Sequence, residues 1–92
     1  MVTGIVMLDA KRDKINLVAT EILEIDGITE VFSVCGRHDL IAIIRARDNE
    51  QLADIVTNHL LKVEGITNSE TMIAFKVYSK HDLERMFSIG AD

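Results

Sequence analysis

Ninety-two residues make one domain, and a chain this short buries only about 60–65 % of the surface it exposes unfolded, so association with a second copy is an early expectation. With 48 % hydrophobic residues, no proline and no tryptophan, it is too apolar for disorder and too poor in turn formers for a loop-rich scaffold. Fifteen acidic against ten basic residues leave a formal charge of −5, which argues against a broad footprint for nucleic acid.

The first predicted element is a strand over 3–9, built on the apolar run "GIVML" at 4–8. A helix over 13–25 follows, because Ile15, Val18, Ile22 and Ile25 recur at three- and four-residue steps and share one face. Gly27 ends it, as a helix terminus commonly needs a left-handed residue that glycine adopts cheaply. Strands over 28–36 and 39–47 then flank the polar stretch "CGRHDL", which holds more residues than a tight hairpin turn needs. The second helix, 49–63, carries the stripe Leu52, Ile55, Val56, Leu60 and Val63, with Asp48 as N-cap and Gln51 completing a capping box. Gly65 closes that helix, and a last strand runs over 67–78. The tail "SKHDLERMF" reads as a short amphipathic helix, capped by Ser79 and Asp82 and apolar at Leu83, Met86 and Phe87.

The two halves are one unit repeated. A gap-free shift of 38 residues lays "EIDGIT" at 24–29 on "KVEGIT" at 62–67 and Gly27 on Gly65. The order βαββαβ is that of a ferredoxin-like α+β sandwich. Its strands are apolar with little alternation, so both sheet faces call for burial. Two helices cover one face; a second subunit is the natural cover for the other.

Single residues narrow the chemistry further. One cysteine supports neither an internal disulfide nor a thiolate metal site, and Cys35 reads as a small buried apolar residue of a cytoplasmic protein. His38, His59 and His81 lack metal-ligand spacing, so no metal and no cofactor are expected. His59 reads as a boundary residue of the second helix, Met7 and Met72 as core or interface filler, and Arg45 and Arg47 as marking the solvent end of a strand. No stretch reaches the length of a membrane span.

Taken together, "EIDGITEVFSVCGRHDLIAIIRA" and "HLLKVEGITNSETMIAF" resemble the C-terminal effector domain, or RAM domain, of the Lrp/AsnC feast/famine regulators. The marks are a helix ending acidic-Gly-Ile, a strand running into Gly-x-x-Asp-hydrophobic, and a second helix ending "VEGIT" before a strand with "ETMI". The resemblance implies a dimeric α/β barrel formed sheet to sheet, further assembly of dimers into rings, and an amino-acid effector between dimers beside the Gly-x-x-Asp loop. It places Gly36, Arg37, His38 and Asp39 at that effector site, with Ser69 and Thr71 as weaker candidates. It also implies residues 1–79 as the effector domain, 80–92 as a helical tail, and full-length regulators as partners. A chain whose first strand begins at Val2 or Thr3 has no recognition helix ahead of it, so a stand-alone module without direct DNA binding is the expectation.

The loop chemistry suits such a ligand, since Gly36 admits close backbone approach to a carboxylate, Arg37 can pair with it, and Asp39 can accept from an ammonium group. Gly36 and Asp39 are equally common as plain turn residues. Two further readings share the fold. A small dimeric α/β-barrel monooxygenase or isomerase would need a positioned acid or base, for which Glu30 is the best candidate. An ACT-like amino-acid-binding domain would pair its sheets side by side. An RNA-binding domain of the RRM type is disfavoured by the acidic charge and the few aromatics.

Overall fold

The computed structural model describes residues 1–80. Four strands, β1 (Val2–Ala10), β2 (Ile28–Ser33), β3 (Leu40–Ala46) and β4 (Ile66–Ala74), form one antiparallel sheet in the order β2-β3-β1-β4. Helix α1 (Ile15–Leu23) links β1 to β2, and α2 (Asn49–Asp54), prolonged by a wide π turn Ile55–His59 and a tight 3-10 turn Leu60–Lys62, links β3 to β4. This is the ferredoxin-like split βαβ expected from the sequence.

The repeat is visible in the backbone. Gly27 and Gly65 sit at φ 97° and 102°, each turning a helix into a strand. Their carbonyls accept the N–H groups of Arg45 and Lys11, both at 2.8 Å, which pins each turn to the end of a neighbouring strand. The residue two places on, Thr29 in one half and Thr67 in the other, is bulged out of the ladder in both.

Alternation decides which face is core. Gly4, Val6, Leu8 and Ala10 of β1 and Leu40, Ala42, Ile44 and Ala46 of β3 point under the helices, where they meet Val18, Ile22, Leu52, Ile55, Val56 and Leu60. The opposite parity forms a second, uncovered face: Ile5, Met7, Ile41 and Ile43 are half-buried, Phe32 and Met72 each 46 % exposed. The unbroken apolar runs of β1 and β3 thus serve two faces, only one of which has an intramolecular partner.

Several sequence boundaries move. Helix α1 stops at Leu23 instead of 25, because the N–H groups of Glu24 and Ile25 tighten to the carbonyls of Glu21 and Ile22. The 49–63 helix is regular α only to Asp54. The β-branched run Ile55-Val56-Thr57 follows, with the Thr57 hydroxyl donating back to the Ala53 carbonyl at 2.7 Å, and the ladder widens there. Strand β2 ends at Ser33 rather than 36, since the Val34 N–H turns to the Asp39 carbonyl. Strand β4 ends at Ala74 rather than 78, where its partner β1 runs out at Thr3. The Asp48 cap forms, accepting the Gln51 N–H at 2.8 Å, while Gln51 reaches back to the Arg47 N–H. Cys35 is exposed, not buried, because it lies past the last β2 rung. The predicted tail helix, 79–87, lies outside the described residues from 81 onward.

Candidate functional site

The loop between Ser33 and Leu40 is fastened to β1 through Asp39. Its backbone N–H donates to the Leu8 carbonyl at 2.9 Å, and its carboxylate Oδ2 accepts the Ala10 N–H at 3.0 Å. These bonds continue the β1–β3 ladder one step past its last rung, Leu8 opposite Leu40. One oxygen of Asp39 is therefore structural, and the other has no hydrogen-bond partner among the described residues. Asp39→Ala should cost about 1–3 kcal/mol by orphaning the Ala10 N–H, whereas Asp39→Asn, whose amide oxygen still accepts, should stay within about 1 kcal/mol of the parent. Urea unfolding of the two variants reads the difference directly.

His38 anchors the loop from the other side. Its Nδ1 lies 3.2 Å from Asp9 Oδ1 on β1, and its Nε2 lies 3.7 Å from Glu70 Oε2 on β4. Asn68 closes the group, its side-chain amide 3.5 Å from the second Asp9 oxygen. Arg37 is exposed and pairs with no carboxylate among the described residues. Gly36, at φ 150°, has no atom within 4 Å of where a Cβ would stand.

The structure thus gathers Gly36, Arg37, His38 and Asp39 at one rim of the sheet. Ser69 and Thr71 are not gathered with them. Their register partners Leu8 and Val6 point to the helix side, and Thr71 lines a shallow apolar cavity of about 280 Å³ with Leu52, Val56 and Ile73. The β4 residues that approach the loop have the opposite parity, Asn68 and Glu70, and β1 adds Asp9. The sequence does not single out these three, because only the β1–β4 register, set by the bulge at Thr67, says which parity faces the loop. His59 is exposed, 3.6 Å from Asp54 on its own helical segment. No cluster of three metal-ligating side chains occurs among the described residues, and none of their helices is long and apolar enough to cross a membrane.

A ferredoxin-like sheet with one bare apolar face and a polar loop at its rim defines a small α+β domain. The chain belongs to the Lrp/AsnC family, whose ligand binding domain matches residues 3–83. It is 36 % identical over 66 residues to the HTH-type transcriptional regulator LrpA of Pyrococcus horikoshii, a match covering 72 % of this chain and 45 % of that regulator. The chain thus spans about half the length of the curated relatives it matches. The crystal structure of TTHA0845 from Thermus thermophilus is 35 % identical and superposes with a TM-score of 0.81, covering 87 % of this chain and all of that one. A crystal structure of the transcriptional regulator NMB0573 from Neisseria meningitidis, in complex with L-Met, shares the fold at a TM-score of 0.76 and 14 % identity, covering 85 % of this chain and 52 % of that one.

Proposed function

We propose that this chain is an amino-acid-sensing and assembly module of an Lrp/AsnC regulatory system, holding its effector at the β2–β3 loop. The observation that carries the reading is the open space beside Gly36, next to an unpaired Arg37 and an Asp39 with one carboxylate oxygen to spare. An α-amino acid offers a carboxylate and an ammonium on one carbon. The Arg37 fork and the backbone at Gly36 suit the first, and the Asp39 carboxylate the second. The methionine complex of the Neisseria relative supports the ligand class.

The bare sheet face is the surface through which the module pairs, and paired modules assemble further, with the effector between dimers. Residues 1–79 act as the module and 80–92 as an appended tail. The partners are copies of itself and full-length regulators of the family. The relatives are transcriptional regulators and the matched domain binds ligands, so the role is regulatory rather than catalytic, carried out in the cytoplasm. The charge of −5 supports the absence of any direct hold on duplex DNA.

A thermal-shift screen against the twenty amino acids tests this. A ligand that binds only the folded state stabilises it by RT ln(1 + [L]/Kd), about 2.7 kcal/mol at a hundredfold excess over Kd. One amino acid, or a chemically related few, should raise the melting temperature by several degrees; a flat response to all twenty rejects effector binding.

A further inference from the structure

The arch over residues 35–38 is tied to the rest of the domain through one ring. Its ends are pinned, since the Val34 N–H donates to the Asp39 carbonyl at 3.0 Å and the Asp39 N–H donates to the Leu8 carbonyl at 2.9 Å. Between those ends Cys35 and Arg37 are exposed, and Gly36 faces open space where a Cβ would stand. Only the His38 side chain makes a hydrogen bond or ion pair there among the described residues. The stretch that carries Gly36 and Arg37 is therefore held by an imidazole.

That imidazole has a carboxylate beside each nitrogen. Nδ1 lies 3.2 Å from Asp9 on β1 and Nε2 lies 3.7 Å from Glu70 on β4; Asn68 of β4 bonds Asp9 in turn, and Arg37 and Asp39 flank the histidine along the chain. No other carboxylate stands within ion-pair distance of the ring among the described residues. A neutral imidazole carries one N–H, so in either tautomer its other nitrogen turns a lone pair toward a carboxylate oxygen. The imidazolium donates on both sides and ties the loop to two strands at once. The His38 and Asp9 side chains are 22 % and 29 % exposed, so solvent screens that pair only in part, while Glu70, at 63 %, contributes less. Histidine is the side chain that ordinarily changes charge between about pH 5 and 8.

We infer that protonation of His38 clamps the arch onto Asp9 and Glu70 and thereby sets how firmly the loop holds its effector. The inference rests on the effector reading above, and its test tells the two apart. Clamped, the arch presents Arg37 and the Gly36 backbone in one place beside the spare oxygen of Asp39. Unclamped, it must be ordered by the incoming amino acid, at a cost in affinity. The charge on the ring also offsets part of the surplus of Asp9, Asp39 and Glu70 over Arg37, which otherwise repels the carboxylate of an amino acid. Acid therefore favours binding.

The twenty amino acids are screened by thermal shift on the full chain at about pH 6 and about pH 8, and each one that stabilises the parent is titrated calorimetrically at both. The parent should bind at least about threefold more tightly in acid. Two variants should lose this dependence in opposite ways. His38→Gln keeps a neutral donor for Asp9 but no titrating group, so its affinity should stay near the weaker parental value at both pH values. Glu70→Gln offers a side-chain amide to a neutral Nε2 and closes the clamp without a proton, so its affinity should stay near the tighter parental value at both. His59→Gln, on the second helix beside Asp54, should keep the parental dependence. Equal parental affinity at both pH values overturns the clamp and leaves effector binding standing, as does a parental dependence that persists in His38→Gln or Glu70→Gln or disappears in His59→Gln. A flat response to all twenty amino acids at both pH values rejects effector binding and the clamp's role in it together.

Discussion

Ile5→Glu should leave a folded monomer where the proposed pairing through the bare face would hold two parental copies together. Ile5 is central on the uncovered face, flanked in register by Ile43 and Met72, and contributes nothing to the packed layer beneath the helices. A carboxylate there stays hydrated in the monomer, so the domain keeps its helices and sheet. In a face-to-face dimer two copies of that carboxylate lose water without a cationic partner. Leaving a charge unpaired in an interior costs about 3–5 kcal/mol, and 1.4 kcal/mol is tenfold in affinity, so dimerisation should weaken by at least about a hundredfold. Sedimentation beside far-ultraviolet circular dichroism separates this from unfolding. A dimer unaffected by the substitution would place the interface elsewhere.

Gly27→Val acts on the fold instead. Gly27 turns α1 into β2 at φ 97°, a region that strains a β-branched residue by about 1–3 kcal/mol. A Cβ there would stand 2.6 Å from Cδ1 of Ile55, a residue only 4 % exposed and packed in the core, and 3.4 Å from the Arg45 carbonyl. Overpacking adds about 1–3 kcal/mol. The sum, about 2–6 kcal/mol, is a large part of what a domain this size has, and thermal melting should fall by at least about 10 °C. Gly36→Val is the informative contrast, since its Cβ meets nothing and only backbone strain remains. A small effect at Gly27 would mean that the core shifts around Ile55 at little cost.

Much of the fold could be read in the sequence because it is said twice. The same Gly-Ile-Thr recurs with the same positive φ and the same bulged threonine, so the 38-residue shift marks the equivalent turns of both halves. The apolar stripes of both helices and the uninterrupted strands likewise announced two layers and a bare face. Less legible was the second helix past Asp54. Its buried residues keep helical spacing whether or not the ladder widens, so periodicity alone does not reveal a π turn.

The candidate site was legible only where it is contiguous in sequence. Gly36, Arg37, His38 and Asp39 lie together in the chain and in space. Asp9, Asn68 and Glu70 come from two other strands, and their presence beside His38 depends on which parity of β4 faces the loop. Without the Thr67 bulge, Ser69 would have stood opposite Met7 on that face instead of opposite Leu8. The dual role of Asp39, with one oxygen on the Ala10 N–H and one left over, likewise depends on distance and not on composition.

That dual role allows a direct test of effector binding at this loop. Asp39→Asn preserves the acceptor for Ala10 and removes the charge offered to an ammonium group, so structure and recognition come apart in one substitution. The decisive measurement is the melting temperature of parent and Asp39→Asn, each with and without the amino acid that stabilises the parent most. Parent and Asp39→Asn should melt within a few degrees of each other without ligand, and the ligand-induced rise should be lost in Asp39→Asn. An undiminished rise in Asp39→Asn would contradict it, by showing that the effector is held somewhere other than the spare oxygen of Asp39.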